Sequence, residues 1–235
     1  MANIKGMGIA LITPFKADMS VDYEALLRLV EYQVTAGADF LAVLCTTAET
    51  PTLSAEERAK VRKCVVEQVR GRIPIVLGCG GNNTMAIVEE LKNGDWRGID
   101  AILSVVPYYN KPSQEGLFQH FTAIADASPI PVILYNVPGR VGVNMTAATT
   151  LRLATHPNII AIKEASGNFD QIDDIRLCFQ PRFETAENAK VAKRVTVGDL
   201  ETVFSRRTTK LYFDGRNRTI EQSNNPNSSP IDSES

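Results

Sequence analysis

Short apolar runs alternate with amphipathic segments along the first three quarters of the chain. The runs are nearly continuous in Ile, Val, Leu and Ala, a pattern typical of parallel strands that are covered on both faces. There are six of them: Met7–Pro14, Phe40–Cys45, Ile73–Cys79, Ile99–Val106, Ile130–Tyr135 and Ile159–Lys163. The pattern therefore predicts an α/β fold with a parallel sheet.

A helical pattern follows each run. Ser54 and Glu57 have the spacing of a capping box and predict a helix that extends to Gly71. The other predicted helices are Tyr23–Gly37, Asn83–Lys92, Ser113–Ala127, Thr146–Thr155 and one that begins near Asn168. Six strand–helix units build either a doubly wound open sheet or part of an eight-unit barrel.

Reactive or hydrogen-bonding residues stand at the carboxyl ends of most runs. They are Thr46, Thr47, Asn82, Tyr108, Tyr109, Tyr135 and Lys163. In a closed barrel these ends converge on one face, where the sites of such enzymes lie, whereas an open sheet spreads them along a line. We therefore expect a TIM (β/α)8-type barrel of which about six units are evident.

The alternation stops after Cys178. Only 15 of the 56 residues from 180 to 235 are hydrophobic, and the end is rich in Ser, Asn and Pro. We expect an incomplete barrel catalytic domain over residues 1–178 and a divergent, partly disordered tail over 179–235. A truncation, a frame shift or a fusion would each produce such a switch, so an inactive barrel fragment is the alternative to an active enzyme.

Composition argues against several classes of function. The 25 Lys and Arg against 27 Asp and Glu leave no basic excess for binding nucleic acid. The four cysteines lack Cys-x-x-Cys spacing and only two histidines are present, so we expect no metal site. No apolar stretch approaches a membrane span, and we expect no membrane association and a cytoplasmic protein with reduced thiols. The glycine-rich segment 78–83 lacks the third glycine of a dinucleotide-binding fingerprint, which argues against nucleotide binding.

Lys163 and Tyr135 are the strongest chemical candidates. Lys163 follows a buried strand, and desolvation lowers the pKa of a lysine and frees its neutral amine for Schiff-base formation with a ketone. Tyr135 ends the preceding run, where its hydroxyl is suited to general acid–base work. A lysine that reaches solvent and a tyrosine packed in the core are the simpler interpretations of each residue taken alone.

Two further candidates are suited to carboxylates. Thr46 and Thr47 offer two hydroxyls and two backbone amides, which suit a carboxylate or a proton relay, and an ordinary ST-turn is the alternative. Arg140 follows Pro138 and Gly139, which predict a turn, and we expect this turn to bring its guanidinium over the barrel mouth. A guanidinium binds a carboxylate in bidentate fashion, and an exposed loop arginine is the alternative.

Four segments together resemble the 4-hydroxy-tetrahydrodipicolinate synthase (dihydrodipicolinate synthase) family of class I aldolases. They are Cys45–Glu49, Pro107–Gly116, Tyr135–Arg140 and Ile162–Ala165, in order and at successive strand ends. The match covers about residues 4–176. It implies an enzyme of lysine biosynthesis through diaminopimelate that condenses pyruvate with aspartate 4-semialdehyde without a cofactor. It also implies a homotetramer built as a dimer of dimers.

The resemblance implies the roles of four catalytic residues. Lys163 forms the Schiff base with pyruvate, and Tyr135 is the general acid and base. Thr46 completes a proton relay with Tyr109, which reaches in from the neighbouring subunit.

The resemblance also implies two substrate-binding residues and one alternative. Thr47 holds the pyruvate carboxylate, and Arg140 holds the carboxylate of the aldehyde. The pair of threonines and the Pro-Gly-Arg turn favour the synthase over N-acetylneuraminate lyase of the same superfamily.

Several positions depart from the family pattern: Cys45 and Ala48 each replace a glycine, and Ala86 replaces a glutamate of the lysine feedback site. Ala55 and Arg58 stand where some relatives have histidines, and with Ala86 they argue against inhibition by lysine.

Overall fold

Six parallel strands form one sheet in the part of the chain that the structure, a computed structural model, describes, residues 4–179. The strands pair in chain order, as a barrel requires. Their bounds are β1 Gly8–Ala10, β2 Phe40–Val43, β3 Ile75–Gly78, β4 Ala101–Val105, β5 Val132–Asn136 and β6 Ile159–Glu164. Each predicted apolar run coincides with one of these strands, although β5 and β6 continue one residue further, to Asn136 and Glu164. The predicted parallel sheet is confirmed.

Helices alternate with the strands, so the described part of the chain forms a partial TIM barrel, as expected. They are α1 Tyr23–Thr35, α2 Ala55–Val69, α3 Thr84–Asn93, α4 Gln114–Ala127, α5 Pro138–Val141, α6 Ala147–Ala154 and α7 Phe169–Phe179. The predicted capping box is present, since Glu57 N donates to Ser54 Oγ and Ser54 N donates to the Glu57 carboxylate. The short α5 was predicted only as a turn.

The two faces of the sheet have different partners. On the inner face the side chains of neighbouring strands pack on one another, among them Phe40, Val76, Leu103, Ile133 and Ala161. On the outer face other strand residues pack against the apolar stripes of the helices. Because side chains of a strand alternate between faces, a one-residue change of register would exchange the two sets.

The carboxyl end of β2 bends through a strained turn. Leu44 and Glu49 have left-handed φ angles of 53° and 54°, on either side of a 3-10 turn at Thr46–Ala48. Gly78 on the neighbouring strand allows the bend, because a Cβ atom there would overlap the carbonyl oxygen of Leu44. The close approach of two backbones thus sets where the threonine turn lies.

The far end of the described chain is α7, which crosses the predicted domain boundary at residue 178 and runs to Phe179. Most of the predicted tail lies outside the described residues, and the division into a barrel domain and a tail stays a prediction. Within residues 4–179, the helices are all too short or too polar to cross a membrane.

Substitution of Gly78 by Ala is expected to lower the free energy of unfolding by about 1–3 kcal/mol, since the new methyl group meets backbone that cannot easily move. Gly81→Ala is the matched control, because a Cβ there meets only the Cδ1 atom of Ile87 at 3.9 Å. Urea unfolding of both variants measures the difference. Equal midpoints for the two would contradict this account of the β2 turn.

Candidate active site

The carboxyl ends of β2 to β5 surround a cavity of about 230 Å³. Its wall includes Cys45, Thr46, Gly80, Tyr108 and Tyr135. The predicted convergence of strand ends on one face is therefore present in the structure. The cavity is large enough for a small organic acid, and residues of the turns after β2 and β4 are part of its wall.

Lys163 and Tyr135 face each other across neighbouring strands. They are direct register partners in the parallel pairing of β5 and β6. The Lys163 Nζ lies 4.0 Å from the centroid of the Tyr135 ring, a cation–π distance. Lys163 is only 8% exposed, so its amine lies inside the protein and does not extend to solvent.

Burial shifts the titration of both groups. It lowers the pKa of Lys163 to about 8, an effect that the nearby Cys45 partly opposes. It also raises the pKa of Tyr135, whereas the charge of Arg140 acts in the opposite direction. At neutral pH about a tenth of the lysine is therefore a neutral amine, and the tyrosine keeps its proton.

Cys45 is a neighbour of Lys163 that the sequence did not predict. The sequence indicated only that position 45 departs from the family pattern. Its side chain is buried, and Sγ lies 3.7 Å from the carbonyl oxygen of Val43. Burial raises the pKa of the thiol to about 11, although the lysine charge acts to lower it. At neutral pH the thiol is uncharged, so its charge does not oppose the lowering of the Lys163 pKa there.

Two loops form the rim of the site. Arg140 is exposed within α5, and its charge acts to lower the pKa of Tyr135. Tyr109 has a left-handed φ of 71° and is 88% exposed. The Tyr109 N–H donates to the Val141 carbonyl at 3.3 Å, so the two loops are joined.

The structure thus brings together three predicted site residues and places three at the rim. Lys163 and Tyr135 are in contact, and Tyr135 and Thr46 lie in the wall of the same cavity. The three at the rim are Thr47, Tyr109 and Arg140, all exposed. Across residues 4–179 there is no group of three or more side chains suited to a metal ion.

Sequence reasoning missed Asn136 and Glu164, which directly follow Tyr135 and Lys163. The Asn136 amide donates to both carboxylate oxygens of Glu164, at 3.1 and 2.9 Å. The sequence signal for both was a polar residue at the end of an apolar strand. Each directly follows a candidate residue whose side chain points to the opposite face of the sheet.

Comparison with known proteins identifies related sequences and structures. Residues 3–188 match the model of the Dihydrodipicolinate synthetase family. The 4-hydroxy-tetrahydrodipicolinate synthase of Parabacteroides distasonis is 67% identical over 174 residues, which are 74% of this chain and 59% of that protein. The chain thus spans about 59% of the length of this curated relative.

Solved structures of dihydrodipicolinate synthases have the same fold. That from Thermotoga maritima gives a TM-score of 0.71 at 42% identity and covers 74% of this chain and 59% of that one. The chloride-inhibited enzyme from Acinetobacter baumannii, complexed with pyruvate, gives 0.71 at 44% identity and covers 73% of this chain and 59% of that one.

Lys163→Met is expected to stabilise the protein at pH 7, by up to about 3 kcal/mol, because it removes a buried charge. The folded protein disfavours the ammonium, so the penalty is complete below about pH 8 and disappears as the pH rises through 10.5. Urea unfolding at pH 7 and pH 10 measures the difference from the parent. Lys92→Met, at an exposed helical position, serves as the control. A Met variant less stable than the parent at pH 7 would contradict the buried charge.

Proposed function

Because the chain belongs to the dihydrodipicolinate synthetase family, we propose that its site condenses pyruvate with aspartate 4-semialdehyde, as a 4-hydroxy-tetrahydrodipicolinate synthase. The observation that carries the proposal is the buried Lys163 amine, with a pKa lowered to about 8, against the Tyr135 ring. A desolvated amine of this kind is the group that forms a Schiff base with a 2-oxo acid at neutral pH.

The first half of the reaction loads pyruvate. The neutral Lys163 amine attacks the C2 carbonyl carbon, and the carbinolamine then loses water when the Tyr135 hydroxyl protonates the leaving oxygen. The C–N bond replaces the C–O bond as an iminium, and loss of a methyl proton leaves an enamine. Tyr135 is suited to this step because burial keeps its hydroxyl protonated until it is needed.

The second half uses the aldehyde. The enamine carbon attacks the aldehyde carbon, whose oxygen takes a proton, and the α-amine of the same molecule then attacks C2. That attack displaces Lys163 as a neutral amine and closes the six-membered ring, so the enzyme is regenerated without an external reductant or oxidant. The exposed Arg140 is suited to hold the aldehyde's carboxylate during this approach.

The remaining rim residues complete the proposal. Thr46, in the cavity wall, relays protons between Tyr135 and Tyr109 of a neighbouring copy, and Thr47 holds the pyruvate carboxylate. The 88% exposure of the Tyr109 side chain supports its reach toward a second copy. The proposed enzyme works in the cytoplasm as a homotetramer. The free thiols of Cys45, Cys64 and Cys79 suit the reducing conditions of that compartment.

Borohydride reduction in the presence of pyruvate is expected to add one pyruvate-derived mass at Lys163, because reduction converts the iminium into a stable secondary amine. Mass mapping of the 235-residue protein locates the adduct, and its other lysines serve as internal controls. Lys163→Met should take up no label at all. A parent protein that remains unmodified would overturn the proposed function.

Tyr135→Phe is expected to slow trapping of pyruvate by about 10²–10⁴-fold, the usual contribution of a positioned acid–base group. The ring that faces the ammonium is kept, so the change isolates the hydroxyl. Tyr32→Phe on α1, whose side chain is 66% exposed, is the matched control and should trap at the parental rate. Equal rates for the two variants would exclude Tyr135 as the acid and base.

A further inference from the structure

A cluster of polar side chains lies directly behind the proposed catalytic pair. Tyr135 and Lys163 are register partners on the inner face, and the next pair along the strands is Asn136 and Glu164. Asn136 is completely buried, whereas Glu164 is partly exposed. Because side chains alternate along a strand, this second pair points to the helix-covered face.

The Asn136 amide joins the two ends of the loop that carries Arg140. Asn136 Oδ1 accepts from the Met145 N–H at 3.0 Å. Its Nδ2 lies 3.4 Å from the Met145 carbonyl and 2.8 Å from Asn144 Oδ1. Residues 136 and 145 are thereby linked side chain to backbone, with α5 between them.

Gln171 on α7 attaches the same loop end from the other side. Its Nε2 donates to the Met145 carbonyl at 3.2 Å, and its Oε1 accepts from Asn144 Nδ2 at 2.7 Å. The same Nε2 also donates to Glu164 Oε2 at 3.1 Å. Gln171 is 8% exposed, so these bonds are little weakened by competing water.

The backbone of Met145 fixes which way both amides point. Its N–H can only donate, so the atom of Asn136 that faces it must be the oxygen. Its carbonyl can only accept, so the atom of Gln171 that faces it must be the nitrogen. Both amides consequently present NH₂ groups to Glu164.

Glu164 therefore meets donors on both oxygens. Oε1 accepts from Asn136 Nδ2 and from the backbone N–H of Ser166, the latter at 2.8 Å. Oε2 accepts from Asn136 Nδ2 and from Gln171 Nε2. Either orientation of a glutamine at this position would turn an NH₂ group toward two other donors.

We infer that Glu164 is a positioning residue, whose acceptor-only carboxylate holds the Arg140 loop against the ends of β5 and β6. This inference rests on the proposed function, because it assigns to the held loop the capture of the aldehyde. Glu164 itself points away from the cavity side of the sheet and contacts no reacting atom. Its effect reaches the site through Asn136, Asn144 and Met145.

Glu164→Gln in the 235-residue protein tests the inference. The protein is loaded with one equivalent of pyruvate, mixed with graded aspartate 4-semialdehyde and then reduced with borohydride. In the parent, the aldehyde consumes the enamine and lowers the trapped pyruvate at Lys163. In the variant, the half-effective aldehyde concentration should rise by about tenfold or more, with a much smaller change in trapping by pyruvate alone.

Two matched variants separate acceptor character from other effects. Glu164→Asp keeps an acceptor-only group and should lie closer to the parent than Glu164→Gln does. Glu115→Gln makes the same chemical change in an exposed ion pair with Arg152 and should match the parent. The inference would be overturned by an unchanged half-effective aldehyde concentration in Glu164→Gln, or by equal increases of that concentration in Glu164→Asp and Glu164→Gln. It would also be overturned if Glu164→Gln weakened the trapping of pyruvate as much as the response to the aldehyde.

Hydrogen exchange provides a readout that does not need the proposed chemistry. Exchange over residues 137–145 should be faster in Glu164→Gln than in Glu115→Gln, while β5 and β6 stay protected. If the parent traps no pyruvate, the proposed function fails, and exchange still decides whether Glu164 holds the loop.

Should Glu164→Gln fail to fold in a thermal melt, Gln171→Met replaces it. That change removes one amide from the cluster at similar side-chain size, and it should raise exchange over 137–145 by a smaller factor. Exchange equal to the parent in Gln171→Met would then count against the inference.

Discussion

The burial of one primary amine at the end of β6 is the constraint on which the rest of the site depends. A lysine 8% exposed in an apolar parallel sheet is unfavourable as an ammonium, and the fold places it against an aromatic ring. The destabilising desolvation is the same effect that makes the amine nucleophilic near neutral pH. Stability and proposed chemistry are therefore opposed at this single residue.

The strained backbone around the cavity follows from the same arrangement. Leu44 and Tyr109 adopt left-handed φ angles at the ends of β2 and β4, where the chain must turn sharply across the barrel mouth. Such conformations persist only where packing over-determines them. At β2 the close contact with Gly78 supplies that packing. The side-chain hydroxyls at the rim are consequently positioned by left-handed backbone conformations that residues other than glycine rarely adopt.

A second, polar layer supports the site from behind. Asn136, Glu164 and Gln171 satisfy one another and the ends of the Arg140 loop with hydrogen bonds of 2.7 to 3.4 Å. Because buried donors and acceptors without partners are costly, this cluster admits few substitutions. It also connects α7 to the proposed catalytic strands. The sequence up to Gln171 therefore contributes to the site, well before the change of composition that begins near residue 180.

Local pattern by itself determined the strands, the helices, the capping box at Ser54 and the parallel sheet, because hydrophobic periodicity and end-capping are properties of short segments. It also made Lys163 and Tyr135 the strongest candidates, since each is a reactive group at the end of an apolar run. The tertiary structure alone decided their 4.0 Å contact, the electrostatic interaction between Cys45 and the amine, and the cluster behind them. These depend on register between strands distant in sequence, and on amide orientations that only the backbone of Met145 fixes.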